Sequence, residues 1–322
     1  MDTYLITGAA GYIGSMLIKY LLETSNTSKI IALVHDRRGI TFHSEHVRLY
    51  EADLCETGFA EQICSEIEHI DYIFHCASIT SSSEMMHHPA EVISSIVNTT
   101  QNVLELARRY EIKSMVYLSS MEVYGNIDCS DGHRVTEQEA ACGQVEILST
   151  RSSYPLGKRM AENICYSYFK EYGIPVKIAR LSQTFGRGIL SSDHRVFAQF
   201  AQAIKNSTDI VLHTLGNSMG NYCSIDDTLK GILTILICGK NGEAYNVVNE
   251  ENTMTIRQMA ELAASKVAEG RIGVRYDIPA DNCYGYAKDT GLRLSGRRLA
   301  SLGWKPEKKL EDMYREILED KN

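Results

Sequence analysis

This chain of 322 residues has little of what marks a specialised class of protein. It contains five prolines and 44% of its residues are hydrophobic, which excludes collagen-like, low-complexity and disordered chains. The longest apolar stretch, residues 232–238, is about a third of the length of a membrane-spanning helix. Its 33 Lys and Arg are outnumbered by 41 Asp and Glu, for a formal net charge of −8. Because nucleic acids and membrane surfaces are polyanions, we expect neither as a partner.

Two further absences concern metals, disulfides and targeting. The nine cysteines form no C-x-x-C pair, so we interpret them as reduced thiols that mostly fill the core, and we expect no metal site. The N-terminal residues lead directly into a short apolar run, without the basic start of a signal peptide. We therefore expect a cytoplasmic protein.

Short apolar runs alternate with segments of helical periodicity in the first half of the chain. We expect strands at residues 4–6, 30–34, 70–75 and 115–118, with helices between them. Continuous apolar strands separated by helices indicate a parallel sheet that is buried on both faces. With right-handed crossovers, the predicted fold class is α/β, a Rossmann-type doubly wound parallel sheet.

The second half of the chain is less regular. A helix is expected over residues 153–172 and a strand over 176–179, followed by a loop over the Gly- and Ser-rich segment 183–195. A capping-box pattern begins an expected helix over 255–267, and a last helix follows residues 304–306. Because no linker or repeat divides the chain, we expect a smaller C-terminal α/β lobe rather than a tethered domain.

A glycine-rich segment, residues 7–14, lies between the first expected strand and the first expected helix. Its glycines allow the backbone to contact a pyrophosphate, and the helix N-terminus supplies free N–H groups and the positive end of a dipole. A strand before such a motif and a helix after it indicate a dinucleotide site. The residues assigned to this site are Gly8, Gly11, Tyr12, Ile13 and Gly14.

Two later segments predict where the rest of the dinucleotide binds. The pair 53–54 follows the strand-like run 47–51 and could place a carboxylate at the adenine amino group. In residues 35–38, a carboxylate would bind ribose hydroxyls and favour NAD, whereas basic groups would neutralise a 2′-phosphate and favour NADP. Three basic residues and one Asp occupy this segment, so NADP is favoured over NAD. The residues assigned here are His35, Asp36, Arg37, Asp53 and Leu54.

Tyr154 and Lys158 stand four residues apart in an expected helix, so they lie on the same face of it. A tyrosine with a pKa of about 10 is a poor base at neutral pH. A neighbouring ammonium and a positively charged nicotinamide would favour its phenolate. The pair is therefore a candidate for acid–base chemistry beside the dinucleotide.

Together these segments resemble the extended short-chain dehydrogenase/reductase family, and within it the nucleotide-sugar epimerases, dehydratases and decarboxylases. The resemblance extends over nearly the whole chain. The motifs that carry it are residues 7–14, 53–54 and 75–78, Asn98, residues 119–125, Tyr154 with Lys158, and residues 225–227 and 302–306. It implies that Cys76, Ala77, Ser78 and Asn98 belong to the cofactor site, with Asn98 ahead of a helix.

The resemblance also implies a mechanism. Tyr154 would be the general base, Lys158 would bind the nicotinamide ribose and lower the pKa of Tyr154, and Ser120 would hydrogen-bond the reacting hydroxyl. In this family the cofactor removes a hydride from C4 of the sugar, and the resulting 4-keto group acidifies the neighbouring C–H bonds. The leading hypothesis is a nucleotide-sugar epimerase.

The adjacent residues Met121 and Glu122 bear on the alternatives. The family's 4,6-dehydratases carry an Asp-Glu pair here, and a thioether at Met121 cannot donate a proton to the departing C6 hydroxyl. Glu122 would still serve as an added base in a decarboxylase or dehydratase that uses the same 4-keto intermediate. A net NADP-dependent sugar reductase or dehydrogenase and a non-catalytic dinucleotide-sensing protein are the further alternatives.

Two departures from the family pattern concern the substrate diphosphate. Gln183 stands where many members have an Asn, and Gly220 stands where many have an Arg that binds the pyrophosphate. We expect other arginines of the second half to supply that charge. The residues assigned to the substrate are Thr80, Gln183, Arg187, Arg195 and Arg293.

The expected organisation has two parts. Residues 1–180 would form the dinucleotide-binding domain with the catalytic Tyr and Lys. Residues 181–322 would form a substrate-binding lobe, some of whose strands and helices return to the first domain. The resemblance implies a homodimer that forms through the helix carrying Tyr154 and the helix before it. A nucleotide sugar is the expected partner.

Overall fold

The structure is a computed structural model that describes residues 2–24, 28–38, 40, 42–56, 58–190, 193–279 and 289–320. The strands of this part of the chain are β1 (Thr3–Thr7), β2 (Lys29–Val34), β3 (Val47–Glu51), β4 (Tyr72–His75), β5 (Ser114–Ser120), β6 (Val176–Leu181), β7 (Gln183–Phe185), β8 (Ile210–Leu212), β9 (Met219–Ser224), β10 (Ala244–Val247), β11 (Thr253–Thr255) and β12 (Val274–Tyr276).

The α-helices of the described residues alternate with these strands. They are α1 (Tyr12–Thr24), α2 (Phe59–Glu66), α3 (Ser82–His87), α4 (Pro89–Arg109), α5 (Ser153–Tyr172), α6 (Val196–Lys205), α7 (Ile225–Cys238), α8 (Ile256–Leu262), α9 (Arg297–Ala300) and α10 (Leu310–Glu319). Short 3-10 turns lie at Met121–Tyr124, Glu137–Ala141, Thr150–Ser152 and Glu250–Asn252. A π-helical turn, Ala263–Val267, continues α8.

Seven strands form one sheet in the order β10-β6-β5-β4-β1-β2-β3. Every pair of neighbours in this sheet is parallel. The chain runs outward from β1 through β2 to β3 and then returns to the other side of β1 as β4, so the strand order reverses between β1 and β4. This arrangement confirms the predicted doubly wound fold, and ligands of such sheets bind outside the carboxyl ends of the strands at the reversal.

Helices cover both faces of the seven-stranded sheet, as its apolar strands require. Leu5 and Ile6 are neighbours in β1 and both are fully buried, but they belong to opposite layers because successive side chains of a strand alternate between its faces. The layer that contains Leu5 also contains Val103 of α4 and Ala161 of α5. The layer that contains Ile6 is completed by Leu17 of α1 and residues of α7.

A smaller lobe is built from the second half of the chain. Strand β9 pairs in parallel with β7 and antiparallel with β11, and β8 pairs in parallel with β12. Its core contains Phe185, Phe197 and Tyr222, with the rings of Phe185 and Phe197 stacked at 4.4 Å between centroids. Strand β10 lies in the main sheet although it belongs to the second half. The division at residue 180 stays a prediction.

Two expectations for the second half need correction. The segment 183–195 is not a loop throughout, because Gln183–Phe185 forms β7. A three-residue strand has no readable period, and its pairing with β9 joins residues that are far apart in sequence. The helix expected over 255–267 does begin with the capping box of Thr255 and Gln258, but it is α-helical only to Leu262.

The described cysteines are free, as expected, but core packing accounts for fewer of them than predicted. Cys129, Cys165 and Cys223 are buried, whereas Cys142 and Cys238 are exposed. Cys283 lies outside the described residues. Over the described ranges, no cluster of three or more His, Cys, Asp or Glu side chains is arranged to hold a metal ion. In the same part of the chain, no helix has both the length and the apolar character needed to cross a membrane.

Candidate active site

The glycine turn after β1 is packed directly against the chain that leaves β4. Gly8 has a φ of 63°, and a Cβ at this position would lie 2.7 Å from the backbone N of Ala77. Beside it, the Thr7 hydroxyl accepts hydrogen bonds from the N–H groups of Cys76 and Ala77, each at 3.1 Å. Only glycine therefore allows the two strand ends to approach this closely at the reversal of strand order.

A cleft of about 790 Å³ opens at this point. It extends across the carboxyl ends of β1, β2, β3 and β4 and is closed on one side by α4. The predicted cofactor residues that line it are Gly8, Gly11, His35, Asp36, Asp53, Leu54, Cys76, Ala77 and Ser78. The cleft thus joins segments that were assigned separately from the sequence.

Two side chains of the cleft are suited to a polar ligand. The Ser78 hydroxyl is buried and has no hydrogen-bond partner within the described residues, so it is available to a bound molecule. The Asp53 carboxylate accepts a hydrogen bond from the Cys55 N–H at 2.8 Å, which holds it at the far end of the cleft. A cleft at the strand-order reversal, a glycine turn and an unpaired buried hydroxyl fit a dinucleotide.

Three of the predicted cofactor residues lie in α1 rather than among the lining side chains. Tyr12 and Ile13 occupy its first turn, where backbone N–H groups are free for an anion. The Tyr12 hydroxyl donates to the carbonyl oxygen of Arg187 at 3.0 Å and ties α1 to the chain after β7. Gly14 is buried, and a Cβ there would overlap the carbonyl oxygen of Gly8.

The structure does not bring Asn98 to the cleft. Helix α4 begins at Pro89, so Asn98 lies inside the helix and not ahead of it, and its side chain is exposed. The α4 residues that line the cleft include Ser95 and Thr99, which the sequence reasoning missed. If the sequence had predicted a helix that begins at Pro89, the apolar residues Val92 and Ile96 would have marked the face of α4 that packs inward. Ser95 and Thr99 lie beside that face and could then have been identified.

Only some of the basic residues in the segment after β2 line the cleft. His35 and Arg38 line the cleft. Arg37 does not, because its Nε lies 3.3 Å from Oε2 of Glu51, outside the cleft. Asp36 accepts a hydrogen bond from the Arg38 N–H at 2.8 Å and also pairs with the Arg38 guanidinium, which holds the pKa of Asp36 below its ordinary value. The expected role of Arg37 is not supported by this placement.

Ser120, Tyr154 and Lys158 come together beside the cleft. Ser120 ends β5, the strand next to β4, and Tyr154 lies in the first turn of α5. The Lys158 Nζ donates to the carbonyl oxygen of Leu118 at 2.8 Å. Burial lowers the pKa of Lys158 to about 8, and the charge of Glu162 partly opposes that shift.

The pKa of Tyr154 is raised above its ordinary value. Burial is the main cause, and the nearby charge of Glu122 adds to it. A hydrogen bond with Ser120 and the positive charges of Arg195 and Arg151 act in the opposite direction. The hydrogen bond of Ser120 and the charges of Glu122, Arg151 and Arg195 therefore all act on the pKa of one phenol. Several interactions that converge on one titratable group are expected where a proton is exchanged.

Glu122 faces the same phenol from the 3-10 turn after β5. Its Oε1 lies 3.4 Å from Nη2 of Arg151, whose Nη1 donates to the Ser82 hydroxyl at 2.8 Å. Burial raises the pKa of Glu122, while the charge of Arg151 lowers it. Arg151 was not foreseen, because an arginine before a helix carries no sequence signal for what it contacts.

The predicted substrate residues are held in different ways. Gln183 Oε1 accepts a hydrogen bond from the Asn221 N–H at 3.2 Å, within the sheet of the smaller lobe. Arg187 is paired with Asp226, with Nε 2.9 Å from Oδ1. Arg195 is paired with Asp193, with Nε 3.0 Å from each carboxylate oxygen. Thr80 is exposed and lies outside the lining of the dinucleotide cleft.

Arg293 is the one of the three arginines that forms no ion pair within the described residues. Its neighbours Leu292 and Leu294 bond through their backbones to the Asn221 amide, so Arg293 stands close to β9. Gly220 lies on that same strand, and a Cβ there would overlap the ring of Tyr222. Packing therefore explains why no arginine occupies position 220.

Comparison with known proteins identifies the family of this chain. The sequence model described as the NAD dependent epimerase/dehydratase family matches residues 4–248. The chain is 28% identical to a dTDP-D-glucose 4,6-dehydratase of Dictyostelium discoideum, over 76% of this chain and 57% of that protein. It is 28% identical to UDP-glucuronic acid decarboxylase 1 of Danio rerio, over 96% of this chain and 70% of that protein. The chain thus spans little more than half of the first relative's length.

A solved structure shows the same fold. The UDP-glucose 4-epimerase of Thermotoga maritima, determined with UDP-glucose, matches with a TM-score of 0.83 at 22% identity. The match covers 98% of this chain and 97% of that one. The seven-stranded sheet and the smaller lobe are therefore arranged as in an enzyme of this fold.

Proposed function

This chain belongs to the NAD-dependent epimerase/dehydratase family, and from that premise we propose that it is a nucleotide-sugar epimerase acting through a transient 4-keto intermediate. The observation that carries the proposal is the meeting of Ser120, Tyr154 and Lys158 beside the dinucleotide cleft. These three side chains are what the exchange of a hydroxyl proton at a sugar carbon requires.

The residues of the cleft fit a nicotinamide dinucleotide, which would supply the hydride acceptor and donor for the sugar carbon. Gly8 and Gly11 and the first turn of α1 would hold its pyrophosphate, and Ser78 offers an unpaired hydroxyl. The preference for NADP stays a prediction. His35 and Arg38 support it, whereas Arg37 lies outside the cleft. Calorimetric titration with NAD⁺ and with NADP⁺ separates the two cofactors.

The catalytic groups divide the work between proton transfer and charge stabilisation. Tyr154 would accept the proton of the C4 hydroxyl, and Ser120 would hold that hydroxyl in place. The ammonium of Lys158 would stabilise the phenolate of Tyr154, which is otherwise disfavoured because burial raises the phenol pKa. Residues 181–322 would select the sugar, with Arg293 as the arginine free to bind the diphosphate.

Decarboxylation is a second candidate, and one observation favours it. Glu122 lies close enough to Tyr154 for its charge to raise the phenol pKa, so an additional base would be available to a sugar bound at Tyr154. Met121 lacks the proton donor that loss of the C6 hydroxyl requires, which argues against 4,6-dehydration. A sugar reductase and a sensing protein without catalysis remain as further outcomes of the test.

The test is to incubate the dinucleotide-loaded protein with UDP-, dTDP-, GDP- and CDP-linked sugars and to read the products by mass and NMR. An altered sugar of unchanged mass identifies an epimerase. Loss of CO2 identifies a decarboxylase, loss of water a dehydratase, and stoichiometric consumption of reduced cofactor a reductase. A protein that binds the dinucleotide and leaves every sugar unchanged would contradict the proposed function.

We also propose a homodimer that forms through α4 and α5. Both helices present apolar side chains on their outer faces: Ile93 is 43% exposed, Met160 is 53% exposed and Tyr166 is 45% exposed. Burial of such a surface between two copies would remove it from water. Sedimentation of the wild type and of a Met160→Glu variant tests this, because the charged side chain should shift the protein toward the monomer.

A further inference from the structure

The ammonium of Lys158 is deeply buried and has few partners. The residue is 3% exposed, its Nζ donates to the carbonyl oxygen of Leu118, and it forms no ion pair with a carboxylate within the described residues. What faces it at close range are aromatic rings. Nζ lies 4.8 Å from the ring centroid of Tyr117 and 5.8 Å from that of Tyr154.

Among the described titratable groups around Lys158, only Glu162 provides a full negative charge, which raises the pKa of Lys158 against the effect of burial. Burial lowers the pKa of His75, at the end of β4, to about 3, so its ring is neutral. Burial also raises the pKa of Cys76 to about 12 and keeps Cys165 of α5 protonated. Glu162, one turn further along α5, is engaged by Arg180, with Nε 2.9 Å from Oε1 and Nη2 2.7 Å from Oε2.

Tyr117 is placed to compensate for this lack of charge. It lies on β5 directly beside His75 of β4, with ring centroids 5.6 Å apart, and is fully buried. Its hydroxyl lies near Thr100 but forms no hydrogen bond of ordinary geometry within the described residues. The part of Tyr117 that lies toward the Lys158 ammonium is the face of its ring. A cation over an aromatic face is attracted by the ring quadrupole, more strongly where water is excluded.

We propose that Tyr117 is a positioning residue whose ring face holds the Lys158 ammonium charged and in place beside Tyr154. The proposal rests on the role of Lys158 in the proposed function. Leu118 supplies one hydrogen bond, and the ring of Tyr117 adds electrostatic support to that of Glu162, which forms no direct ion pair with Lys158 within the described residues. The remaining N–H groups of Lys158 stay free for the cofactor ribose and the phenolate.

The experiment measures the Lys158 ammonium directly. Protein labelled with carbon-13 at the lysine Cε is titrated by NMR, with the Lys158 signal assigned by its loss in Lys158→Met. Tyr117→Phe keeps the ring and should leave the pKa of Lys158 unchanged. Tyr117→Leu removes the ring and should lower that pKa by about half a unit to one and a half units.

A second series keeps the result interpretable if the Leu variant fails to fold. Phenylalanines with increasing numbers of fluorine atoms are incorporated at position 117, which weakens the ring quadrupole while its shape changes little. The pKa of Lys158 should fall stepwise with fluorination, and the affinity for NAD⁺ measured by calorimetry should fall with it at alkaline pH. An unchanged pKa across this series would overturn the proposal.

The NMR measurement of the Lys158 pKa tests the role of Tyr117 independently of the proposed function. The pKa of Lys158 is measured without a sugar substrate, so it responds to Tyr117 whether or not an epimerase reaction is found. If Lys158→Met leaves turnover intact, the proposed function fails, and the fluorination series still decides the role of Tyr117.

Discussion

At the scale of single residues, burial has opposite effects on the pKa values of Tyr154 and Lys158, the two groups proposed to be catalytic. It raises the pKa of Tyr154 and lowers the pKa of Lys158 to about 8, because in each case the charged form is disfavoured away from water. Ser120 counteracts the first shift by hydrogen bonding to the phenol. The site therefore holds a neutral phenol and an ammonium at neutral pH, and a bound cation such as an oxidised nicotinamide would lower the pKa of Tyr154.

The first prediction concerns Tyr154→Phe. The variant keeps the ring that packs in the core and loses the hydroxyl, so turnover should fall by at least about a hundredfold while NAD⁺ binding changes little. Turnover is measured with the sugar that the product screen identifies, and NAD⁺ binding by calorimetry. Tyr276→Phe, on exposed β12, is the matched control. Turnover equal to wild type in Tyr154→Phe would refute the role of the phenol.

The second prediction concerns Lys177, which is buried in β6 without a carboxylate partner within the described residues. Its Nζ donates to the Ser114 hydroxyl at 2.6 Å, and burial lowers its pKa to about 8, against about 10.4 in an unfolded chain. Between these values the unfolded chain binds more protons, so stability rises with pH, and below them the full penalty is present.

Lys177→Met should therefore be more stable than wild type near neutral pH, by up to about 3 kcal/mol, and this advantage should fall below about 1 kcal/mol by about pH 10 and disappear by about pH 11. The Ser114 hydroxyl still donates its hydrogen bond to the Leu236 carbonyl oxygen in this variant, so its O–H group is not left without an acceptor. Urea unfolding across this pH range is the measurement, with exposed Lys205→Met as the control. A constant difference at all pH values would show that the Lys177 charge is not responsible.

At the scale of elements, the unit of β1, the glycine turn and α1 positions the cofactor site. The turn serves two purposes: it brings β1 against the chain after β4, and it leads from the lining of the cleft at Gly11 directly into α1, whose first N–H groups have no acceptor within the helix. The Thr7 hydroxyl joins the two strand ends by accepting from two N–H groups. The anion site is therefore a property of two elements rather than of the glycines alone.

The third prediction is that Gly8→Ala weakens dinucleotide binding by at least about tenfold, equivalent to about 1.4 kcal/mol. The new Cβ would lie 2.7 Å from the Ala77 backbone N, so the two strand ends must separate. Gly270→Ala is a matched control, because Gly270 has a similar φ of 74° but no atom within reach of an added Cβ. Calorimetry with NAD⁺ is the measurement, and equal affinity for the two variants would contradict this explanation.

At the scale of the whole molecule, a buried polar network joins two strands of the main sheet, β6 and β10, to α5 and to the segment after β5. Arg180 of β6 is paired with Glu162 of α5, and the two side chains are 7% and 11% exposed. The same guanidinium donates to the Tyr124 hydroxyl and to the Glu137 carbonyl oxygen. Asn246 of β10 accepts from that Tyr124 hydroxyl, so strands of both halves of the chain share the network.

The fourth prediction concerns this buried pair. Glu162→Gln should destabilise the protein by roughly 3–5 kcal/mol, because the guanidinium of Arg180 is left buried without its counter-charge. Glu162→Met combined with Arg180→Met should cost less than the single change, because neither variant side chain is charged. Urea unfolding of the single and double variants measures both effects. If the double variant were less stable by the sum of the Glu162→Met and Arg180→Met single changes, the pair would not be coupled.

The parts of the structure that were predicted correctly depend on local patterns. Apolar runs predicted the inner strands of the main sheet, and the glycine segment predicted the turn at its centre. Asn98 was expected ahead of a helix and lies inside α4, a loop was expected where β7 forms, and Arg37 lies outside the cleft. The inner face of α4, the pairing of β7 with β9 and the partner of Arg37 all depend on residues distant in sequence. Ser95, Thr99 and Arg151 were missed for the same reason.

The sequence by itself determined the doubly wound sheet and the identity of the glycine turn and of the Tyr154–Lys158 pair, because each depends on spacing along one strand or helix. Only the tertiary structure decided which charged side chains contact one another or an aromatic ring. It placed Glu122 against Arg151, left Arg293 without an ion pair among the described residues, and laid the ring of Tyr117 beneath the Lys158 ammonium. Such contacts cross between elements, and their energies depend on burial, which spacing along a chain does not specify.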